Sequence, residues 1–84
     1  MQYDEDKVDN FTLALLYLAA HKREEGFGAR AWKGFDWDTL SRLHDKGFIS
    51  NPVGKAKSVA MPERGFLKSK DLFEKHFMNK KLKN

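Results

Sequence analysis

Three observations predict an α+β fold for this 84-residue chain, with three helices packed around a small β-hairpin. Val8, Phe11, Leu15, Leu18 and Ala19 recur at helical spacing near the start, and Phe66, Phe73 and Phe77 do so near the end. Between them, two short runs at 48–51 and 56–60 flank Pro52-Val53-Gly54-Lys55, a turn-forming sequence, and so read as paired strands. The balance of 40% apolar, 33% charged and 13% aromatic residues is that of a folded chain and not a disordered one. A domain of this size buries about 60% of its unfolded surface, enough for one core and little for a large internal pocket.

The first helix is expected over residues 5–25. Asp4 can cap it, Glu5 and Asp6 suit the positive end of its dipole, and Tyr3 and Val8 are spaced as a hydrophobic staple. Leu13, Leu16, Tyr17 and Ala20 widen the apolar stripe, so the helix should be wedged between two other elements. Lys22 and Arg23 fit its last turn, and Gly26 supplies a left-handed stop. Residues 26–35 then read as a glycine-punctuated link with room for one helical turn at 29–33, its aromatic rings folding back over the first helix.

A second helix is expected over 37–46, capped by Asp36 and stopped at Gly47, with Trp37, Leu40, Leu43 and His44 on its inner face. Steps of 100° place Asp38, Thr39, Arg42, Asp45 and Lys46 opposite that face. After the hairpin, Pro62 opens a last helix that runs to about residue 78, with Leu67 and Leu72 joining its phenylalanines. The order is helix, short link, helix, β-hairpin, helix. Residues 1–79 form one domain, and 80–84 form a basic, frayed tail.

Leu40-Ser41-Arg42-Leu43-His44-Asp45-Lys46-Gly47-Phe48-Ile49, the hairpin and Met61-Pro62-Glu63-Arg64-Gly65 resemble the second half of a winged-helix domain. The resemblance implies a small winged-helix-like fold, a recognition helix at 37–46 and a two-stranded wing. It also implies contact with duplex DNA in transcription regulation. Met61 departs from the Thr or Ser usual in that family, and the family's second helix is reduced to the 26–35 link. Gly65 would let the last helix approach the wing closely. Residues 30–38 and 51–58 also resemble a family of small bacterial proteins of undescribed function, over nearly the whole chain and with no activity attached.

The chain has no cysteine, which excludes disulfides, thiolate metal sites and a cysteine nucleophile. His21, His44 and His76 lie far apart, unlike the close pairs of compact metal centres, so no metal or other cofactor is expected. No phosphate-binding glycine loop, nucleophile elbow or base–orienter pair occurs, so the chain is read as a binding protein and not an enzyme, with no small-molecule substrate. Leu13 to Ala20 is its longest apolar run, eight residues against the roughly 20 of a membrane span, and the acidic start MQYDEDKVDN is unlike a secretory signal. A cytoplasmic setting away from membranes follows as an expectation.

Charge is uneven. Net charge is −3 over residues 1–10, +1 over 11–51 and +6 over 52–84, giving +4 in all. The candidate DNA contacts are Arg42, Lys46 and Thr39 on the second helix, Lys55 and Lys57 on the hairpin, and Arg30 and Lys33 on the link. Asp38 and Asp45 oppose that assignment, because carboxylates facing phosphates repel them. The alternative is a protein-interaction or dimerisation module without nucleic acid, using Phe27, Trp32, Phe35 and Trp37. The breadth of the first helix's apolar surface also allows a homodimer in which the first and last helices pair with a second copy.

Overall fold

A computed structural model describes residues 2–79. The expected 80–84 tail lies outside the described residues. The α+β class stands: three helices and a three-stranded antiparallel sheet follow in the order α1 (Glu5–Leu18), β1 (Ala20–Glu24), β2 (Gly28–Trp32), α2 (Trp37–Asp45), β3 (Ser58–Met61) and α3 (Glu63–Phe77). This content is compatible with a winged-helix-like arrangement, but the hairpin sits elsewhere. It is formed by β1 and β2, not by 48–51 and 56–60, and β3 adds to the far side of β2.

α1 begins as expected, with the Asp4 carboxylate accepting from the Lys7 N–H. It ends seven residues early, at Leu18, and the chain turns directly into β1. The expected helical turn at 29–33 is strand β2, so the link is itself half of the hairpin. Ala-His-Lys-Arg-Glu has little intrinsic strand preference, and pairing overrides it: Ala20 faces Ala31 across the ladder and His21 faces Arg30. A bulge between His21 and Glu24, with Lys22 at φ 52°, then breaks the register.

Arg23, expected on the helix, ties this hairpin to α3 instead. Its guanidinium donates to both Glu63 carboxylate oxygens and to the Gly28 carbonyl, and it lies over the Phe66 ring at 4.0 Å. Glu63 also accepts from the Gly28 N–H at 3.0 Å. The hydrogen bond from Arg23 holds the Glu63 carboxyl below the usual carboxylate range, against the opposing effect of burial.

The core joins α1, α2, α3 and the inner face of the sheet through Leu13, Leu16, Ala31, Leu40, Leu43, Ile49, Val59, Met61, Phe66 and Leu72. On α1 only part of the broad apolar surface expected to be covered is buried. Leu13, Ala14 and Leu16 are buried, whereas Val8, Leu15 and Leu18 face outward. α1 and α3 run antiparallel, with Tyr17 against Phe66 and Phe73 at one end and Phe11 against His76 and Phe77 at the other. The close approach expected of Gly65 is present, but toward a loop. A Cβ there would lie 2.0 Å from the Phe48 carbonyl oxygen.

Residues 48–57 hold no strand. This segment runs along β3 and touches it where the Ser50 N–H donates to the Ala60 carbonyl and the Ala60 N–H donates to Ser50 Oγ. Among the described residues no helix is long and apolar enough to cross a membrane.

Candidate interaction surface

α2 has the expected boundaries to within a residue and the expected cap, in which Asp36 accepts from the N–H and the hydroxyl of Thr39. One edge of its polar face, Thr39, Arg42 and Lys46, is turned toward α1, contrary to the sequence-based expectation, while Asp38 and Asp45 stay exposed. Asp9, on α1 and 0% exposed, accepts from Arg42 Nε at 2.8 and 3.0 Å and from Lys46 Nζ at 2.8 Å. Arg42 also donates to Thr39 Oγ1, and Lys46 reaches Asp6. The hydrogen bond to Asp9 raises the Lys46 ammonium above its ordinary range, against the lowering effect of burial.

A fully buried carboxylate is costly unless paired and hydrogen-bonded, and α2 supplies both requirements from residues one helical turn apart. Arg42 and Lys46 therefore hold α2 to α1, and Thr39 braces Arg42 from within α2. The exposed charged residues left on α2 include Asp38 and Asp45, which disfavour phosphate.

The remaining expected DNA contacts divide in two. Lys33 Nζ donates to the carbonyls of Pro52 and Gly54, pinning the 52–57 segment to the end of β2. Lys55 and Lys57 are exposed and make no side-chain hydrogen bond or ion pair among the described residues. Arg30 lies across the sheet, with Nε donating to Ser58 Oγ and Nη2 to the Ser58 carbonyl.

The sheet carries the surface that the chain leaves open. Ala29, Ala31, Val59 and Met61 point into the core, so His21, Arg30, Trp32, Ser58 and Ala60 share the opposite face. Among the described residues no helix packs on that face. The Trp32 ring stacks on His21, with centroids 4.2 Å apart and planes 21° apart, yet Trp32 stays 55% exposed. At the other end of β2, Phe27 is 81% exposed beside an open cleft of about 470 Å³, lined by Lys22, Glu24, Arg30, Ser50 and Ala60 among others.

Of the four aromatics expected on an interaction surface, Phe27 and Trp32 flank the sheet face. Trp37 is exposed on the first turn of α2, and Phe35 is half-buried against the core and is not part of the surface. Phe27 and Trp32 do not fold back over α1.

Two participants were missed from sequence. Asp9 precedes Leu13 and Leu16 by four and seven residues, so its place on their buried face, together with the Arg42 and Lys46 pair, was a usable signal. His21 gives no such signal, because residues 19–25 read as helix, on which it could not meet Trp32. The other histidines have separate neighbours: His44 Nδ1 pairs with the Ile49 carbonyl, and His76 packs on Phe11. Among the described residues no group of three His, Cys, Asp or Glu side chains could hold a metal ion.

Fold and surface together define a small α+β domain with helices on one side of a three-stranded sheet and an aromatic, basic face on the other. The chain belongs to the family of the domain of unknown function DUF6429, whose model matches residues 4–79. It is similar to the uncharacterised protein y4hR of Sinorhizobium fredii (strain NBRC 101917 / NGR234), with 46% identity over 77 residues that cover 92% of this chain and 97% of that protein. No solved structure matches the chain.

Proposed function

We propose that this winged-helix-like domain is a non-catalytic recognition module that engages its partner through the uncovered sheet face and not through α2. The observation that carries this reading is the double commitment of the basic residues. Arg42 and Lys46 are tied to the buried Asp9, while the sheet face presents Trp32, Phe27 and Arg30. Exposed tryptophan and arginine are the residue types that anchor interfaces, and Arg30 is already held by Ser58, which lowers the cost of ordering it. Groove reading by α2 would require breaking the contacts that hold the helix in place.

Site-specific photocrosslinking tests the choice of surface whatever the partner's chemistry. A p-benzoylphenylalanine is placed at Ala60 on the sheet face in one variant and at the exposed Ser41 on α2 in another. Crosslinked adducts are expected in cells from position 60 and not from position 41. Adducts from position 41 with none from position 60 would overturn the proposal.

A further inference from the structure

The geometry points to a ligand class for this face: we infer that it binds single-stranded nucleic acid, with unstacked bases on Trp32 and Phe27 and phosphates on the cations around them. The inference rests on the sheet-face reading above and adds the chemistry of the partner.

Three features carry it. The first is the pair of open rings. Trp32 is backed on one side by His21, a parallel stack that fixes the indole against the sheet while leaving more than half of the residue accessible. Phe27 stands in the turn just before β2, at the opposite end of that strand from Trp32. Sheets that bind single strands stack two or three bases on strand aromatics, and every base offers a π-face to such a ring.

The second feature is charge complementarity. Lys22 and Arg30 line the cleft beside Phe27, and Lys55 and Lys57 lead into β3 where Ser58 pairs with Trp32. Glu24 is the acidic residue among those lining the cleft. Lys22, Lys55 and Lys57 have no ion-pair partner among the described residues, so their charge is available to a polyanion. The acidic start of the chain lies with α1 and α2, where Asp6 and Asp9 meet Lys46 and leave the sheet side positive.

The third feature is preorganisation. Two bonds to Ser58 lay the Arg30 guanidinium along the face, and Nη1 makes no bond among the described residues. Such a fixed fork suits a phosphate oxygen or stacking on a base plane. Duplex DNA buries its base faces in the helical stack and offers neither ring a partner. An acidic peptide would satisfy the cations and leave the two rings without planar groups to stack on.

The test uses the full chain carrying Trp37→Phe, so that Trp32 is the only indole, with a twelve-nucleotide oligothymidine as the probe. Binding at 50 mM salt is expected to quench Trp32 fluorescence. With three phosphates engaged, affinity should fall about 20-fold between 50 and 200 mM salt. Trp32→Ala in the original chain should weaken binding, read by anisotropy of a labelled oligomer, at least about fivefold, and Trp32→Phe should restore most of it. Circular dichroism confirms that each variant folds.

A duplex of equal length that binds as tightly as the single strand would overturn the inference. So would inorganic polyphosphate that competes equally per charge, or Trp32→Ala and Phe27→Ala variants that bind normally. Absence of oligonucleotide binding together with protein adducts at position 60 would remove nucleic acid as the partner and leave the sheet face as the site. Adducts at position 41 alone would remove both.

Discussion

Asp9→Asn is expected to destabilise the domain by about 3 kcal/mol, the low end for breaking a buried ion pair because Arg42 and Lys46 retain some access to water. The substitution keeps the shape of the side chain and removes its charge. Two cations then converge on a neutral amide whose NH2 group can accept nothing, at a position that is 0% exposed. For a chain of this size, 1 kcal/mol corresponds to about 4–8 °C, so thermal melting should drop by about 12 °C or more.

Replacing the charges together gives the sharper result. Asp9→Leu combined with Arg42→Met and Lys46→Met should recover much of the loss, because packed apolar side chains can substitute for a buried ionic cluster. Strong non-additivity in that cycle is the expected sign that the three residues act as one unit. A melting temperature within 3 °C of the parent for Asp9→Asn, a margin below the roughly 4 °C that 1 kcal/mol would give, would show that the contacts between α1 and α2 do not depend on this carboxylate.

Gly28→Ala is the second large effect, and Gly26→Ala is its control. Both glycines have positive φ, 99° and 85°, so both substitutions strain the backbone by about 1–2 kcal/mol. Only Gly28 is also crowded. A Cβ there would lie 2.0 Å from the Met61 carbonyl oxygen, whereas at Gly26 nothing lies within 4 Å. Overpacking typically adds about 1–3 kcal/mol, and here it would push β2 from β3 and disturb the Gly28 N–H bond to Glu63. Urea unfolding should therefore place the Gly28→Ala midpoint well below that of Gly26→Ala at an unchanged slope. Equal midpoints would mean that the hairpin and the start of α3 are not packed as closely as described.

What the sequence disclosed follows from how local each signal is. The caps at Asp4 and Asp36, the extent of α2 and the phenylalanine face of α3 depend on neighbours within one or two turns, and all are recovered. The close approach at Gly65 is recovered too, although its neighbour is a loop and not a strand. The hairpin at 20–32 was invisible because Ala19 to Glu25 reads as good helix, and only partners distant in sequence make it a strand. Glu63 is the clearest example, since it lies 40 residues from the Arg23 it fixes.

The location of the surface is hidden in the sequence for a related reason. An Arg and a Lys one turn apart on a helix look like a solvated face until a buried carboxylate is found on the neighbouring helix. Phe27 and Trp32 were legible as interaction candidates from their residue type, but their positions at the two ends of β2 depended on the strand that was missed.

Lysine acetylation, followed by mass spectrometry, measures this most directly, because acylation requires a free, deprotonated amine. Lys46, held by Asp6 and Asp9 with its ammonium form favoured, should react several-fold more slowly than Lys22, Lys55 and Lys57, and Asp9→Asn should remove most of that protection, leaving the weaker hold of the exposed Asp6. Lys46 labelling as fast as Lys55 in the native protein would mean that α2 offers its cations to solvent, and recognition would have to be sought on that helix instead.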